Sequence, residues 1–465
     1  MTIIFFLVFL NTIALLYFLH SLPLSAYLKL NAGLEILNQK ILSWPDLYWI
    51  IGSYLAAYFL YFISPVFLNS GQRMSFQPDS FALDPIGLDL RAFLYFGKAF
   101  FLSGGEYPPA NLYPPLFTLL IAPFSLLDPV SLYRVFVPVL FVSYVLITLV
   151  IPIFFVKSQQ GITLLVLFFL SGLFSHGFYF ELERGQTNVI AFLFVMLAIY
   201  LFYHKTRFRW LAYVLFSLSL QIKIFPAIFI FMLVENWSDW KTNIKRFAGI
   251  GLFNLALFFV LGLRPLLTVV SNLKEASLHY VWIRNHSIMS FAMLLQKGYF
   301  QETLNEFNLS AVNLWAMEHA IKIGYFLTFL AFLCFGLVIF HAIRSNSKGF
   351  NSNLFVVSTL VLLLVPAVSH DYTLSLLSGA VGVALAMNQG MAVLPSLRLL
   401  RTFLVILITF SYSTALYSFE YKPLFWQDNF FALMILLFCF TIMSFLPRMP
   451  AASFQEDHNQ ILKSQ

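Results

Sequence analysis

The sequence predicts an all-α, polytopic membrane protein with about twelve spanning segments. Two observations carry that prediction. Of the 465 residues, 60% are hydrophobic and only 10% charged, whereas a soluble globular chain carries roughly 25% charged residues. The mean hydropathy is accordingly +0.84. The apolar residues are also gathered into runs close to the roughly twenty residues that a helix needs to cross a bilayer. Lipid offers backbone N–H and C=O groups no partner, so each run must close its own hydrogen bonds as a helix.

Taken in order, the runs fall at 3–19, 47–68, 135–156, 162–180, 189–203, 210–234, 247–263, 321–340, 354–365, 372–387, 402–417 and 430–446. The first lacks the basic flank of a cleavable leader and reads as a retained span. After it, 22–42 sets Lys29, Glu35 and Lys40 among leucines, the pattern of an interfacial helix on the cytoplasmic face. The chain thus divides into 1–46, a span with that helix, 47–446, the polytopic domain, and 447–465, a polar cytoplasmic tail. The run 210–234 is too long for one crossing and contains Lys223 and Pro226. It reads as two tilted pieces joined near the outer face. Cys334 and Cys439 sit inside apolar runs without metal or disulfide spacing, and read as packing residues.

Basic loops set the orientation. The net charge of +7 resides largely in four clusters: Lys205, Arg207 and Arg209; Lys241, Lys245 and Arg246; Arg344 and Lys348; Arg398 and Arg401. Positive loops stay in the cytoplasm, so the charge marks a membrane face rather than a nucleic-acid partner. The polar stretches 71–112, 181–188, 264–320, 369–371 and 419–429 then share the outer face.

Charges, glycines and prolines first gather at 89–115. Leu90, Phe93, Leu94, Gly97, Phe100 and Phe101 recur at helical spacing, with Arg91, Tyr95 and Lys98 on another face, which predicts an amphipathic helix over 88–102. Asp89 lies in its first turn, where a carboxylate is favoured as a cap. Ser103, Gly104 and Gly105 stop the helix, Pro108 and Pro109 extend the return, and a second apolar helix starts at 113–115 and runs to 127. The pair is expected to lie as interfacial helices in the first large outer loop.

This order of an acidic residue, an amphipathic helix, the turn Ser103-Gly104-Gly105-Glu106-Tyr107 and then Leu112-Tyr113-Pro114-Pro115 resembles glycosyltransferase family 87. Later stretches fit the same family: Gly185-Gln186-Thr187-Asn188, the Ile222-Lys223-Ile224-Phe225-Pro226 segment, Asn285-His286-Ser287 with Ser290, and 366–372. The likeness covers about 89–372, although the family writes Asp-Phe where this chain has Asp89-Leu90. That family contains the PimE-like, polyprenyl-phosphate-mannose-dependent mannosyltransferases, and the resemblance implies the C-type glycosyltransferase fold.

The resemblance implies transfer of a hexose from a polyprenyl phosphate to a lipid or glycan acceptor, on the extracytoplasmic side of the cell (inner) membrane. Such a transfer needs a carboxylate to take the hydroxyl proton, and donors to hold the departing phosphate. Asp89 is the expected base, with Asp79 and Asp84 as rivals on the same loop. Lys223, Arg184, Arg284, Asn285, His286, His370, Gln186 and Asn188 are expected to hold the donor's phosphate and sugar. Alternatives stand beside several of these. Lys223 either meets an anion or snorkels to a surface, His370 beside Asp371 is a donor or an ordinary loop hydrogen bond, and Tyr113 is a packing anchor. One carboxylate driving a direct displacement inverts the anomeric carbon. No cofactor besides the donor is expected, and no obligatory cation, because nothing completes a coordination shell around Asp79, Asp84 and Asp89. The expected partners are membrane lipids, the polyprenyl-phosphate-linked sugar and the acceptor, with no nucleic acid. The competing class is a lipid or solute transporter, which would place ionisable groups near mid-membrane in paired repeats. A scaffold subunit without chemistry is the third reading.

The four basic clusters generate a topology prediction. A reporter fused after Lys348 is expected to label as cytoplasmic and one inserted near Asn308 as external; the opposite labelling overturns the shared outer face.

Overall fold

The computed structural model describes residues 87–102, 107–108, 111–156, 158–279, 285–299, 301, 310–388 and 429–445. Every named regular element among them is helical. The runs expected at 3–19, 47–68 and 402–417, the helix at 22–42, the tail, and Arg398 and Arg401 lie outside the described residues.

Helix α1, Leu88–Leu102, occupies the stretch its spacing predicts, and buries Leu90, Phe93, Leu94 and Gly97. Phe101 of the same expected face is 56% exposed. Helix α2, Pro115–Ile121, opens on a proline, whose missing N–H costs nothing in a first turn, and continues as a 3-10 turn at Ala122–Leu126. Asp128 then starts α3, Pro129–Ile153, by accepting the Ser131 amide at 2.8 Å. Ser158 and Ser175 cap α4, Gln159–Leu173, and α5, His176–Arg184, in the same way. There follow α6, Asn188–His204, and α7, Arg209–Ile222, with a 3-10 segment at Phe225–Met232. Next come α8, Trp240–Phe258, α9, Leu263–His279, α10, Ile288–Gln296, and α11, Ser310–Glu318. The last described elements are α12, Ala320–Arg344, α13, Ser352–Leu364, a 3-10 segment at Asp371–Leu376, α14, Leu377–Asn388, and α15, Asn429–Phe445.

Among the described residues, α3 and α12 are each long and apolar enough to cross a membrane alone. Two bent pairs join them: Gly161–Leu173 with Gly177–Arg184 at 53°, and α8 with Leu263–Ala276 at 98°. The first pair departs from the single span expected at 162–180, and Ser175 is the reason. Its Oγ donates to the Gly172 carbonyl at 2.6 Å and accepts the Phe178 amide at 3.2 Å, ending one helix and starting the next. Helix α13 lies at the centre. All 13 of its residues are buried, as befits a helix apolar on every side, and it packs against α12, α14 and α15.

The helices carry their polar ends to two opposite poles. At one pole three basic loops meet: Arg209 pairs with Glu235 at 2.9 Å, Arg246 Nη1 donates to the Leu233 carbonyl at 2.9 Å, and the Gly349 amide donates to the Glu235 carbonyl at 3.0 Å. Tyr203 Oη, from the end of α6, reaches the carbonyls of Met232 at 2.9 Å and Val234 at 2.7 Å. Residues 209–235 therefore leave this pole and return to it, as a hairpin whose tip is Lys223, held extended at φ −145° and ψ 137°. Helix α6, about 25 Å long at 1.5 Å per residue, separates this pole from the one at which Asn188 begins it.

Close helix contact depends on Gly172. A Cβ there would come within 2.1 Å of both Tyr144 Oη and Ser378 Oγ, so the side chains of α3 and α14 close directly onto the α4 backbone at this glycine. Gly172→Val is expected to destabilise the fold by about 1–3 kcal/mol through overpacking, read as a lower melting temperature in detergent. Gly251→Val, at a position with nothing within 4 Å of a new Cβ, is the control expected to leave it unchanged.

Candidate functional site

The second pole is assembled from element ends, beginning where α1 meets α5. Gly87, at φ +83°, donates its amide to the Glu183 carbonyl at 2.8 Å. Gly185, at φ +65°, closes α5 in the left-handed conformation that favours glycine, and a Cβ on it would sit 3.0 Å from Leu90 Cβ. Tyr133 Oη fastens the same corner from α3, donating to the Leu182 carbonyl at 2.7 Å.

This junction faces the first turn of α1 against the last turn of α5. Arg184 consequently grips Asp89 with two parallel bonds, Nε to Oδ2 at 2.7 Å and Nη2 to Oδ1 at 2.8 Å. Such bidentate pairing fixes the carboxylate in plane as well as in charge. Each partner also sits at the helix end whose dipole favours it. The Asp89 side chain is 16% exposed and that of Arg184 24%.

Glu181, one turn before Arg184, is fully buried. It accepts from Asn188 Nδ2 at 2.8 Å and from the Val189 amide at 3.1 Å. It thereby caps α6 in place of Thr187, whose side chain makes no capping bond. Lys223, at the hairpin tip, does not snorkel to a face: its Nζ donates to Tyr113 Oη and Gln186 Oε1, both at 3.1 Å, and lies 4.4 Å from the Tyr113 ring centre. Tyr113 thus combines packing, edge-on to Phe93 at 4.6 Å, with a polar contact to the cation. Burial holds its phenol well above its ordinary pKa, so it stays protonated.

The loops at 285–287 and 367–373 are stitched into a buried layer beneath the site. Asn285 Nδ2 donates to the Ala367 carbonyl at 2.9 Å, its Oδ1 accepts the Ser369 amide at 3.0 Å, and the His286 amide donates to the Ser369 carbonyl at 3.0 Å. The His286 imidazole is fully buried. Its Nδ1 faces Asp371 Oδ1 at 3.1 Å, and its Nε2 lies 3.1 Å from Ser369 Oγ and 3.3 Å from Thr373 Oγ1. Asn429, at the start of α15, donates to the same Asp371 oxygen at 2.9 Å. His370 lies within electrostatic range of Asp89 and Arg184, and burial pushes its imidazole down to about 4, leaving it neutral near pH 7.

Of the residues picked out in the sequence, Asp89, Arg184, Gln186, Asn188, Lys223, Asn285, His286 and His370 meet at this pole. Arg284, Asp79 and Asp84 lie outside the described residues. Among the described residues, no three His, Cys, Asp or Glu side chains are grouped to hold a metal ion. The sequence does not single out Glu181 or Asn429, and Asp371 enters there only as the neighbour of His370, whereas its carboxylate meets His286. A carboxylate embedded in the Phe178-Tyr179-Phe180-Glu181-Leu182 run was a usable signal, since acids in apolar segments are expensive without a partner. Asn429, 58 residues from Asp371, offered none. Chemically, the pole presents a carboxylate that can take a proton beside cations that can hold an anion.

The sequence model of Glycosyltransferase family 87 matches residues 111–366. Arg184, Gln186, Asn188, Lys223, Asn285 and His286 fall inside that stretch, while Asp89 precedes it and His370 follows it. No curated protein and no solved structure matches the chain.

Lys223 is hydrogen-bonded to the neutral Tyr113 and Gln186, while Glu181 and Asp89 act on its charge from farther away, so no direct carboxylate contact has to be broken for its ammonium to meet an incoming anion. Lys223→Ala is expected to weaken binding of a phosphate-bearing lipid about 10-fold or more, as the loss of a charge-assisted bond implies, while lowering folded yield far less. Unchanged lipid affinity would reduce Lys223 to a packing residue.

Proposed function

The chain belongs to glycosyltransferase family 87, and from that membership, which makes it a membrane glycosyltransferase, we propose that it moves a hexose from a polyprenyl-phosphate sugar to a hydroxyl of a lipid or glycan acceptor. The observation that carries this reading is the Asp89–Arg184 pair beside Lys223, at the pole opposite the three basic loops. Positive loops stay in the cytoplasm, so the reading puts the reaction on the extracytoplasmic side of the cell (inner) membrane. Within the family we assign the chain to the PimE-like group with mannose as the sugar, and to the C-type glycosyltransferase architecture.

In the proposed reaction the acceptor oxygen attacks the anomeric carbon while Asp89 takes its proton. The bond from that carbon to the phosphate oxygen breaks on the opposite face, so configuration inverts and polyprenyl phosphate leaves with the electron pair. Lys223 and Arg184 stabilise the charge that develops on the phosphate. Two N–H groups of Arg184 are engaged by Asp89, and a guanidinium has further donors to offer. Gln186 and Asn188, at the start of α6, are assigned to the sugar, and Arg284 and His370 to the donor side, while Asn285 and His286, fully buried and bonded to Ala367, Ser369 and Asp371, support those loops from beneath. No divalent cation is assigned a step.

The decisive experiment supplies the purified protein with radiolabelled polyprenyl-phosphate hexoses and a lipid extract, and follows label into product. Asp89→Asn is expected to bind donor but to transfer on the order of 10² to 10⁴ times more slowly, the usual loss on removing a general base. Asp79→Asn and Asp84→Asn are expected to turn over normally. Transfer that survives in Asp89→Asn but dies in Asp84→Asn would move the base to Asp84, and transfer surviving in all three would remove the carboxylate from the reaction.

A further inference from the structure

Asp371 is a buried carboxylate on which two separate parts of the chain converge. His286, from the loop before α10, and Asn429, from the start of α15, approach the same oxygen at 3.1 and 2.9 Å. His286 is secured in turn by Ser369 and Thr373. Buried polar groups in such a network are costly if left unmade, so the network admits few arrangements of the turn that carries it.

That turn lies directly on α5. A Cβ added to Gly177, in the first turn of α5, would come within 2.9 Å of the Asp371 carbonyl oxygen and of Leu374 Cβ, and 3.1 Å of the Ser375 nitrogen. Ring contacts run along the same boundary toward the ion pair. His370 and Tyr372 lie 5.4 Å apart, Tyr372 and Phe180 5.5 Å apart, and the Arg184 guanidinium sits 5.8 Å from the Phe180 ring centre. Arg184 then holds Asp89.

We propose that Asp371 is a positioning residue for sugar transfer: through His286 and Asn429 it seats the 369–375 turn against α5, and so fixes Arg184 and the carboxylate that Arg184 grips. The proposal rests on the reading of the site as a transferase centre. Asp371 acts through its neighbours, so its hydrogen-bonding geometry matters and its negative charge does not. A misplacement of about 1 Å at the reacting groups is enough to cost on the order of 10² in rate.

Three variants test this. Asp371→Ala removes the acceptor that His286 and the Asn429 amide share, and is expected to lower kcat about 10² fold while KM for the polyprenyl-phosphate hexose rises far less than kcat falls, because Lys223 stays in place. Asp371→Asn keeps an acceptor for His286, and Asn429 can turn its amide to match, so it is expected to recover most of the rate. Gly177→Ala pushes on the turn at the Asp371 carbonyl while leaving the Asp371 carboxylate and its two partners chemically intact, and is expected to reproduce the fall in kcat even if Asp371→Ala does not fold. Asp371→Asn as inactive as a folded Asp371→Ala would make the charge itself chemical and overturn the proposal, as would Gly177→Ala with full activity. Hydrogen exchange without substrate gives a second readout. Gly177→Ala and Asp371→Ala are expected to speed exchange at the Gly87 and Gly185 amides, whereas Lys223→Ala leaves them unchanged. Unaltered exchange at those amides in Gly177→Ala overturns the inference whatever the activity. Wild-type protein that transfers no hexose from any polyprenyl phosphate removes the transferase reading instead, and leaves the exchange result to decide the positioning claim.

Discussion

The bidentate bond between Asp89 and Arg184 is the interaction on which the polar pole depends. Helix α1 is held to the rest of the molecule by one apolar face, and such a face tolerates sliding. Two parallel charge-assisted bonds do not. Removing either partner would leave a half-buried charge beside a wall of aromatic rings, a far larger cost than the loss of an exposed ion pair. The pair therefore acts on position and charge together: it registers α1 against the end of α5, and gives each ion the counter-charge that its surroundings demand.

The same demand explains the rest of the pole. Glu181 is placed where the N-terminal amides of α6 need an acceptor, and Asn188 completes the arrangement, so one carboxylate satisfies both a helix end and itself. Lys223 sits where the chain is forced out of helix between Ile222 and Pro226. A helix-breaking proline and a membrane cation are each costly in isolation. Together they make a hairpin tip whose cation is received by Tyr113 and Gln186.

Local periodicity made part of this legible. The spacing of Leu90, Phe93, Leu94 and Gly97 marked α1 to its end residues, because an amphipathic face is written in consecutive positions. Pro226 and Lys223 marked the break in the 210–234 run for a comparable reason. The kink at Ser175 was hidden, since a serine within an apolar stretch reads equally as a buried hydroxyl or as a cap, and only its bonds to Gly172 and Phe178 distinguish the two. Asp371 and Asn429 were beyond reach because their meaning is a contact between distant segments. His286 was singled out as a donor for ligand, yet both its ring nitrogens have protein partners; which side of a loop residue faces a site is a tertiary property that the sequence motif does not carry.

Parity decides whether residues 285–287 and 369–371 can meet Asp89 and Arg184 at all. Every full crossing exchanges one pole for the other, and every hairpin leaves the chain where it began. The 209–235 segment, stapled by Tyr203, Arg209 and Arg246, counts as zero. Were it straightened into one crossing, each loop after it would change poles: Lys348 would join the site, and His286 and Asp371 would be carried to the basic end. The handful of bonds at the foot of that hairpin, far from any reacting atom, thus sets the even or odd count on which the site's composition rests.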